Sequence, residues 1–597
     1  MDKNELYILR KEFSDLDESK LNLLSQKGIF CYDYIDHIDK LNETTLPPIE
    51  EFYNKLSESN ISEEKYSHAQ SVWQSFEIKN LGEYSDLYLK TDVILLADIF
   101  ENFRKTCMAT HVLDPAWYFS MPGYTWDCML RFTKCRLELL RDIDQIMFIE
   151  RAIRGGISVC VGRYAEANNK YMPNYDSSRD DSYIMYFDVN NLYGKAMCEP
   201  LPYGGFDWMS HQEIDSFNVM NIPDESSQGY ILEVDLEYPQ KLHDTHRDFP
   251  FCAEHRVPPN SKLPKLMTIL YNKEKYVIHY RNLKQALKNG LVLKKIHKIL
   301  KFNQSRWLKC YIDHNNKLRT QAKTKFGINL YKLFNKQWYN NNGKTMENIR
   351  KHRIVKFVKA WDGRYGAKNL ISSPRFHSRT ILDNNLLLIE LKKSELCFNK
   401  PLYIGMSILD LSKTTMYEFH YNYVLPNLGP EKCKIQYMDT DSFIYNIKCY
   451  DAYESVIKAD LTKFDTSDYP NDNPYNIPQI NKKVLGLMKD ETNGTIISHY
   501  AGLRSKMHTF KILTGSVVKK SKGIQYNIVK NKISFDDYVE CLTNFREKYA
   551  TQLTIRSYTH NVFSIEQIKV ALSPLDDKRY LLPNSYETLP WGHYKVP

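Results

Sequence analysis

The amino-acid sequence predicts an α+β multidomain protein, and three observations carry that expectation. Its 597 residues exceed what one hydrophobic core organises, so two to four domains are expected. The texture changes along the chain, from helical patterns with polar loops over residues 1–105, to strands from 183, to a basic helix-patterned block, and back to short strands from 388. Two strand-like segments far apart in sequence each end in carboxylates. Hydrophobic residues at 43% and charged ones at 26% describe an ordinary globular chain.

At the amino-terminal end, "TTLPPIEE" marks a break at Pro47 and Pro48. Further on, "YLKTD" sets Tyr88 and Asp92 four apart, on one helical face. No apolar run approaches the ~20 residues of a membrane-spanning helix, so no membrane partner is expected. The opening residues lack the basic-then-apolar layout of a secretory signal. Twelve cysteines without a CxxC pair indicate neither zinc sites nor a disulfide framework. A reducing compartment, nucleus or cytoplasm, is the expected location.

Net charge is +9, but residues 261–360 hold 25 Lys or Arg against Glu274, Asp313 and Glu347 alone. A block this basic, interleaved with Tyr271, Tyr276, Tyr280, Trp307 and Tyr311, predicts a polyanion-binding surface, with nucleic acid as the favoured partner. The segment 388–425 reads as short strands followed by an amphipathic helix, and 465–479 as a loop rich in Asp, Asn and Pro.

The chemistry is expected where the acids cluster. "SYIMYFDVNNLYG" (182–194) is an apolar strand running into Asp188, then a polar bend, then Leu192 and Tyr193. "KIQYMDTDSFIYNI" (434–447) places Asp439 and Asp441 at the tip between two β-prone runs, as a hairpin would. Two strands that each deliver a carboxylate can together hold two divalent cations ~3.5–4 Å apart. Oxygen-only ligation fits Mg²⁺, with Mn²⁺ as a substitute, because such ions keep water and substrate phosphates in their shell. One ion would activate a primer 3′-hydroxyl and the other would neutralise the triphosphate.

These residues carry a resemblance to a family. Asp188-Val-Asn-Asn-Leu-Tyr193-Gly resembles motif A of the family B DNA polymerases, D-x-x-x-L-Y-P, and "YMDTDS" (437–442) resembles their motif C. The wording around them is similar to the protein-primed polymerases of Polinton/Maverick transposons. It includes "DLYLKTDVILLADIFENFR" (86–104), "IRGGISV" (153–159), "YVIHYRNLKQAL" (276–287), "YAGLRSKM" (500–507) and "LSPLDDKRYLLP" (572–583). The resemblance implies a right-hand polymerase with palm, fingers and thumb. Asp188 and Asp441 would be the metal ligands, and Asp439 would support the acidic tip as the third catalytic carboxylate. Tyr193, beside Leu192, would lie under the incoming sugar and exclude a 2′-hydroxyl. Lys332 would open motif B and reach the triphosphate. Gly155 and Gly156 resemble the Y-x-G-G template element, with Ile153 in place of its Tyr. Lys506 resembles the lysine of the primer-contacting K-x-Y, with His508 in place of the Tyr, and Arg504 and Thr440 join the DNA-contacting set. Motif B departs from its pattern: about three extra residues lie between Lys332 and Gly343, enough to turn a helical face by ~300°. Tyr88 and Asp92 resemble the third motif of a 3′–5′ exonuclease, but no upstream D-x-E strand is found. They are therefore read as relics, with no exonuclease activity expected.

The implied division is 1–150 for the remnant of the exonuclease-like domain and linker, cut off or lost upstream, and 151–260 for the first part of the palm. Residues 261–400 would form fingers and inserts, 401–500 the second part of the palm, and 501–597 the thumb and C-terminal region. Template and primer DNA, deoxynucleotide triphosphates and a terminal protein are the implied partners. Template-directed DNA synthesis is the leading expectation. A polymerase fragment that binds nucleic acid without catalysis is the competing one, and Mg²⁺-dependent binding of a deoxynucleotide triphosphate separates the two.

Overall fold

The structure, a computed structural model, describes residues 6–259, 261–324, 326–334, 345–558 and 561–597. Among the described residues before 150 the longer elements are helices: Glu63–Ser75 (α1), Leu81–His111 (α2), Met121–Thr133 (α3) and Ile143–Ala152 (α4). No strand forms there, only an isolated bridge between Asn54 and Ser59. Each helix begins where its sequence supplies a cap or a first-turn proline; the Asn80 side chain, for instance, accepts the Glu83 N–H ahead of α2.

The strands follow as Ser158–Cys160 (β1), Tyr164–Glu166 (β2) and Ser182–Val189 (β3). After helix Leu192–Met197 (α5) come Leu201–Trp208 (β4), Gln228–Glu237 (β5), Lys273–His279 (β6), helix Tyr280–Lys288 (α6), Val292–Ser305 (β7) and helix Lys309–Gln321 (α7). Arg353–Val358 (β8), Phe376–Asp383 (β9) and Leu386–Lys392 (β10) precede helix Leu402–Tyr417 (α8). Cys433–Asp439 (β11), Ser442–Lys448 (β12), Met488–Asp490 (β13), Ile497–Arg504 (β14), Met507–Ile512 (β15) and Val517–Ser521 (β16) come next. Helices Tyr526–Lys532 (α9) and Phe535–Asn544 (α10) lead to Lys548–Tyr558 (β17) and Asn561–Leu572 (β18).

One sheet carries the acids. Its strand order is β1-β11-β12-β3-β14-β15-β16, with β13 added on β3 and β2 on β14. The near-continuous apolar run of β3 is explained by its place: strands flank it on both sides and both faces are covered, so almost every residue is buried. Two further sheets, β4-β7-β5-β6 and β8-β10-β9, and the β17–β18 hairpin stand apart from it.

Three expectations change here. The boundary at 260/261 cuts through the second sheet, because β5 pairs with both β6 and β7. The boundary at 500/501 cuts β14 in two, and the acid-bearing sheet continues to Ser521. Helix α8 is not amphipathic: it is buried all round between α4, α5 and α6. Its two buried charges are satisfied locally. Asp410 accepts the His279 N–H at 3.0 Å, and Lys413 Nζ donates to the Arg154 carbonyl at 2.8 Å.

The basic block is also less naked than its sequence suggests. Lys273 pairs with Glu254, Arg281 with Glu199, Lys284 with Asp224, Arg306 with Glu225 and Arg350 with Glu150. The acids missing locally are thus supplied from elsewhere in the chain.

Candidate active site

Strand pairing brings the acids together. Asp188 lies opposite Ser442 in the β3–β12 pair, and the Val189 N–H donates to the Asp441 carbonyl at 2.7 Å. The hairpin is tight: β11 ends at Asp439, β12 begins at Ser442, and Thr440 takes a left-handed φ of 61°. That conformation is costly for a β-branched residue. It is held by the Thr440 N–H donating to Ile157 O and the Asp441 N–H donating to Asp439 O, each at 2.7 Å.

Asp188 and Asp441 are both half-buried. Burial first, then repulsion from Asp441 and Glu491, pushes the Asp188 carboxyl up to about 8. Burial likewise raises Asp441; its own backbone N–H opposes the shift, and Asp439 and Glu491 add repulsion. Among the described residues the Asp188 carboxylate has neither a hydrogen bond nor an ion pair; Lys489, opposite it in the β13–β3 pair, offsets the shift only in part and is itself paired with Asp468.

Two acids that repel each other, oxygen donors only, fit a hard divalent cation that takes its remaining ligands from water and substrate. Among the described residues no group of three or more ligating side chains forms.

Asp439 plays a different part. Its carboxylate receives Lys506 Nζ at 3.1 Å on both oxygens and the Tyr437 hydroxyl at 3.4 Å. The Tyr437 oxygen in turn accepts the Lys506 N–H at 2.8 Å. Asp439 therefore anchors Lys506.

The two glycines separate. Gly155 has open space where a Cβ would be. At Gly156 a Cβ would stand 2.3 Å from Thr440 Oγ1, so this glycine lets the loop close on the hairpin tip. Thr440 is correspondingly part of the tip's packing.

Tyr193 is half-buried against the core shared by α5 and α8, while Leu192 is buried beside the acid-bearing sheet. Leu192 and Tyr193 thus face different cores, although they are neighbours in sequence. Arg504 ends β14, half-buried and two residues before Lys506. His508 turns inward: it is buried, with its ring centroid 4.2 Å from that of Tyr437, and makes no outward contact. Lys332 stands exposed on the helix across 326–334, which buries Leu330, Tyr331 and Phe334. The remainder of motif B through Gly343 lies outside the described residues.

Tyr88 and Asp92 do share a face of α2, but they are otherwise engaged. The Tyr88 hydroxyl bonds that of Tyr32 at 2.7 Å, and Asp92 pairs with Lys27 at 3.6 Å.

Sequence reasoning missed Glu491, which follows the three-residue strand β13 and faces both Asp188 and Asp441. It also missed Tyr437, legible only as an alternating strand residue until the fold set it beneath Lys506.

A half-buried acid pair at the ends of paired strands, with a lysine anchored beside it and a half-buried tyrosine one turn beyond, suits template-directed nucleotide polymerisation. The chain belongs to the family described as DNA polymerase type B, organellar and viral, whose model matches residues 6–425. It is a DNA-directed DNA polymerase that depends on divalent metal. The family match ends before the β11–β12 hairpin, so the fold is what joins Asp439 and Asp441 to Asp188. Among solved structures the chain is similar to phi29 DNA polymerase in an orthorhombic crystal form, with 14% identity and a TM-score of 0.51 over 92% of this chain and 80% of that one. Phi29 DNA polymerase complexed with primer-template DNA aligns at 15% identity and a TM-score of 0.49, over 92% and 79%. At such identities the likeness is one of fold. A comparison with curated proteins finds no match.

Proposed function

We propose that Asp188 and Asp441 hold the catalytic cations, Mg²⁺ in the cell, and that this chain is a protein-primed polymerase of the Polinton/Maverick type. The observation that carries the site is the convergence of two half-buried, mutually repelling carboxylates at one edge of the sheet. Bound cations would lower the cost of bringing the triphosphate's charge to the primer oxygen. The primer 3′-oxygen bonds to the α-phosphorus as the bond to pyrophosphate breaks, and the hydroxyl proton leaves to solvent.

The remaining parts act by position. Lys506, aimed by Asp439 and Tyr437, meets the primer end. Gly155 opens the backbone to the template. Tyr193, on α5 and half-buried against the core that α8 shares, closes the space a ribose 2′-hydroxyl needs, and exposed Lys332 reaches for the triphosphate. Template and primer DNA and deoxynucleotide triphosphates are the substrates, with the hydroxyl of a terminal protein as the first primer. Twelve cysteines, all free, support a reducing setting in nucleus or cytoplasm.

Primer extension on a primed single-stranded template tests the reading, with wild type beside Asp441→Ala. Extension by the wild type alone establishes the palm. Salt-sensitive template binding without extension leaves the competing reading, a polymerase-derived nucleic-acid binder.

A further inference from the structure

The C-terminal segment after β18 returns to the tip. Lys578, half-buried, donates from Nζ to the Ser158 carbonyl at 2.9 Å. That same oxygen accepts the Ser505 hydroxyl at 2.7 Å, and Ser505 also reaches Ser158 Oγ at 2.8 Å. Ser158 lies opposite Asp439 in the β1–β11 pair. One backbone oxygen, beside the acid that anchors Lys506, therefore ties down both the turn carrying Lys506 and the lysine from the far end of the chain. The turn needs such ties, because Lys506 itself has a left-handed φ of 62°.

The segment that delivers Lys578 is built to hold it. The Lys578 N–H donates to Asp576 Oδ1 at 3.1 Å. Arg579, fully buried, bonds Thr588 Oγ1 at 2.6 Å and the Arg247 carbonyl at 2.8 Å. Thr588 in turn donates to the Val161 carbonyl at 2.7 Å, just past β1. Asp439 also acts on Lys578 electrostatically, favouring its charged form against burial.

We propose that Lys578 is a positioning residue for the primer terminus, holding the Lys506 turn through the shared Ser158 carbonyl. The inference rests on the reading of Lys506 as the primer contact. Lys578 does not touch substrate. It completes a two-donor clamp on one carbonyl, so that Lys506 keeps one geometry when Asp439 and the primer compete for its ammonium. A hydrogen bond from a charged group is the stronger kind, and losing it loosens the turn.

The test is a double-mutant cycle on the full chain, with Lys578→Met, Lys506→Ala and the combined variant. It reads equilibrium binding of a fluorescent primer–template and the separate KM values for primer–template and deoxynucleotide. Lys578→Met is expected to weaken primer–template binding about tenfold, the value of one charge-assisted hydrogen bond, while KM for the nucleotide stays within about twofold. In the Lys506→Ala background the same change should add nothing, because the turn then has no cation to aim. Ser505→Ala, which removes the other donor from the same oxygen, should repeat the pattern if Lys578→Met folds poorly. Wild-type binding in Lys578→Met overturns the proposal. Effects that multiply in the double variant also overturn it, since they assign Lys578 its own contact with DNA. A parallel rise in both KM values with a lowered melting temperature makes it a plain structural residue and overturns it too. If the wild type binds but does not extend, the polymerase reading of the site fails, while the binding cycle still decides the case of Lys578.

Discussion

Asp188 sits half-buried beside Asp441 and Glu491, and burial first, then those two carboxylates, raise the cost of ionising it. Its folded-state pKa of about 8 lies above the ordinary 3.8. Between those values the folded chain keeps a proton that the unfolded chain has lost, so stability falls as pH rises through that window. Active sites commonly carry such strain. Replacing Asp188 with Asn removes the charge while keeping the shape. In metal-free buffer at about pH 8 this variant should be more stable than wild type by ~1 kcal/mol, and it should fail to extend a primer. Adding Mg²⁺ should narrow the gap, because the cation stabilises only the chain that binds it. Thermal melting with and without Mg²⁺ checks this, and a variant less stable than wild type in metal-free buffer would sink the repulsion argument.

At the scale of elements, the strands bearing Asp188, Asp439 and Asp441 were legible because buried central strands read as apolar runs and a tight hairpin reads as turn residues between them. Their mutual pairing was not, since register between distant strands leaves no local trace. Helix α8 misled for a similar reason: its surroundings, α4, α5 and α6, come from elsewhere in the chain and bury its polar face too. Gly156 was legible as a glycine with a purpose, but its partner Thr440 was not. His508 is the instructive substitution in β15. Its ring packs between Tyr437 and Tyr500, and burial lowers its pKa from 6.5 to about 3. The folded chain thus holds a neutral imidazole where the unfolded chain takes up a proton below about 6.5, and stability drains as pH falls through that window. His508→Phe should lose ~1–2 kcal/mol less stability than wild type between about pH 7 and pH 5. Equal losses in the two chains, measured by denaturant unfolding, would mean the ring is solvated and free to protonate.

At the scale of the whole molecule, the helical amino-terminal part is read as a support, and no second catalytic centre is expected in it. It touches the far end of the polymerase region, where Lys532 of α9 pairs with Glu58 and Asn527 bonds the Ser57 carbonyl. Hydrolytic proofreading by two metals needs several carboxylates converging from different segments. Here Asp92 is paired with Lys27, Tyr88 is bonded to Tyr32, and no strand or three-acid cluster forms among the described residues before 150. Upstream, Asp17 is spent as an N-cap on the Lys20 N–H and Glu18 pairs with Arg10. This chain should therefore leave a mismatched, 5′-labelled primer intact in Mg²⁺ without nucleotides, and Asp92→Ala should behave as wild type in extension and in stability. Shortening of that primer by wild type but not by Asp92→Ala would require carboxylates to gather around α2 in a way that the Lys27 ion pair opposes. Degradation that persists in Asp92→Ala would point to a contaminating nuclease, which Asp441→Ala carried through the same preparation would reveal.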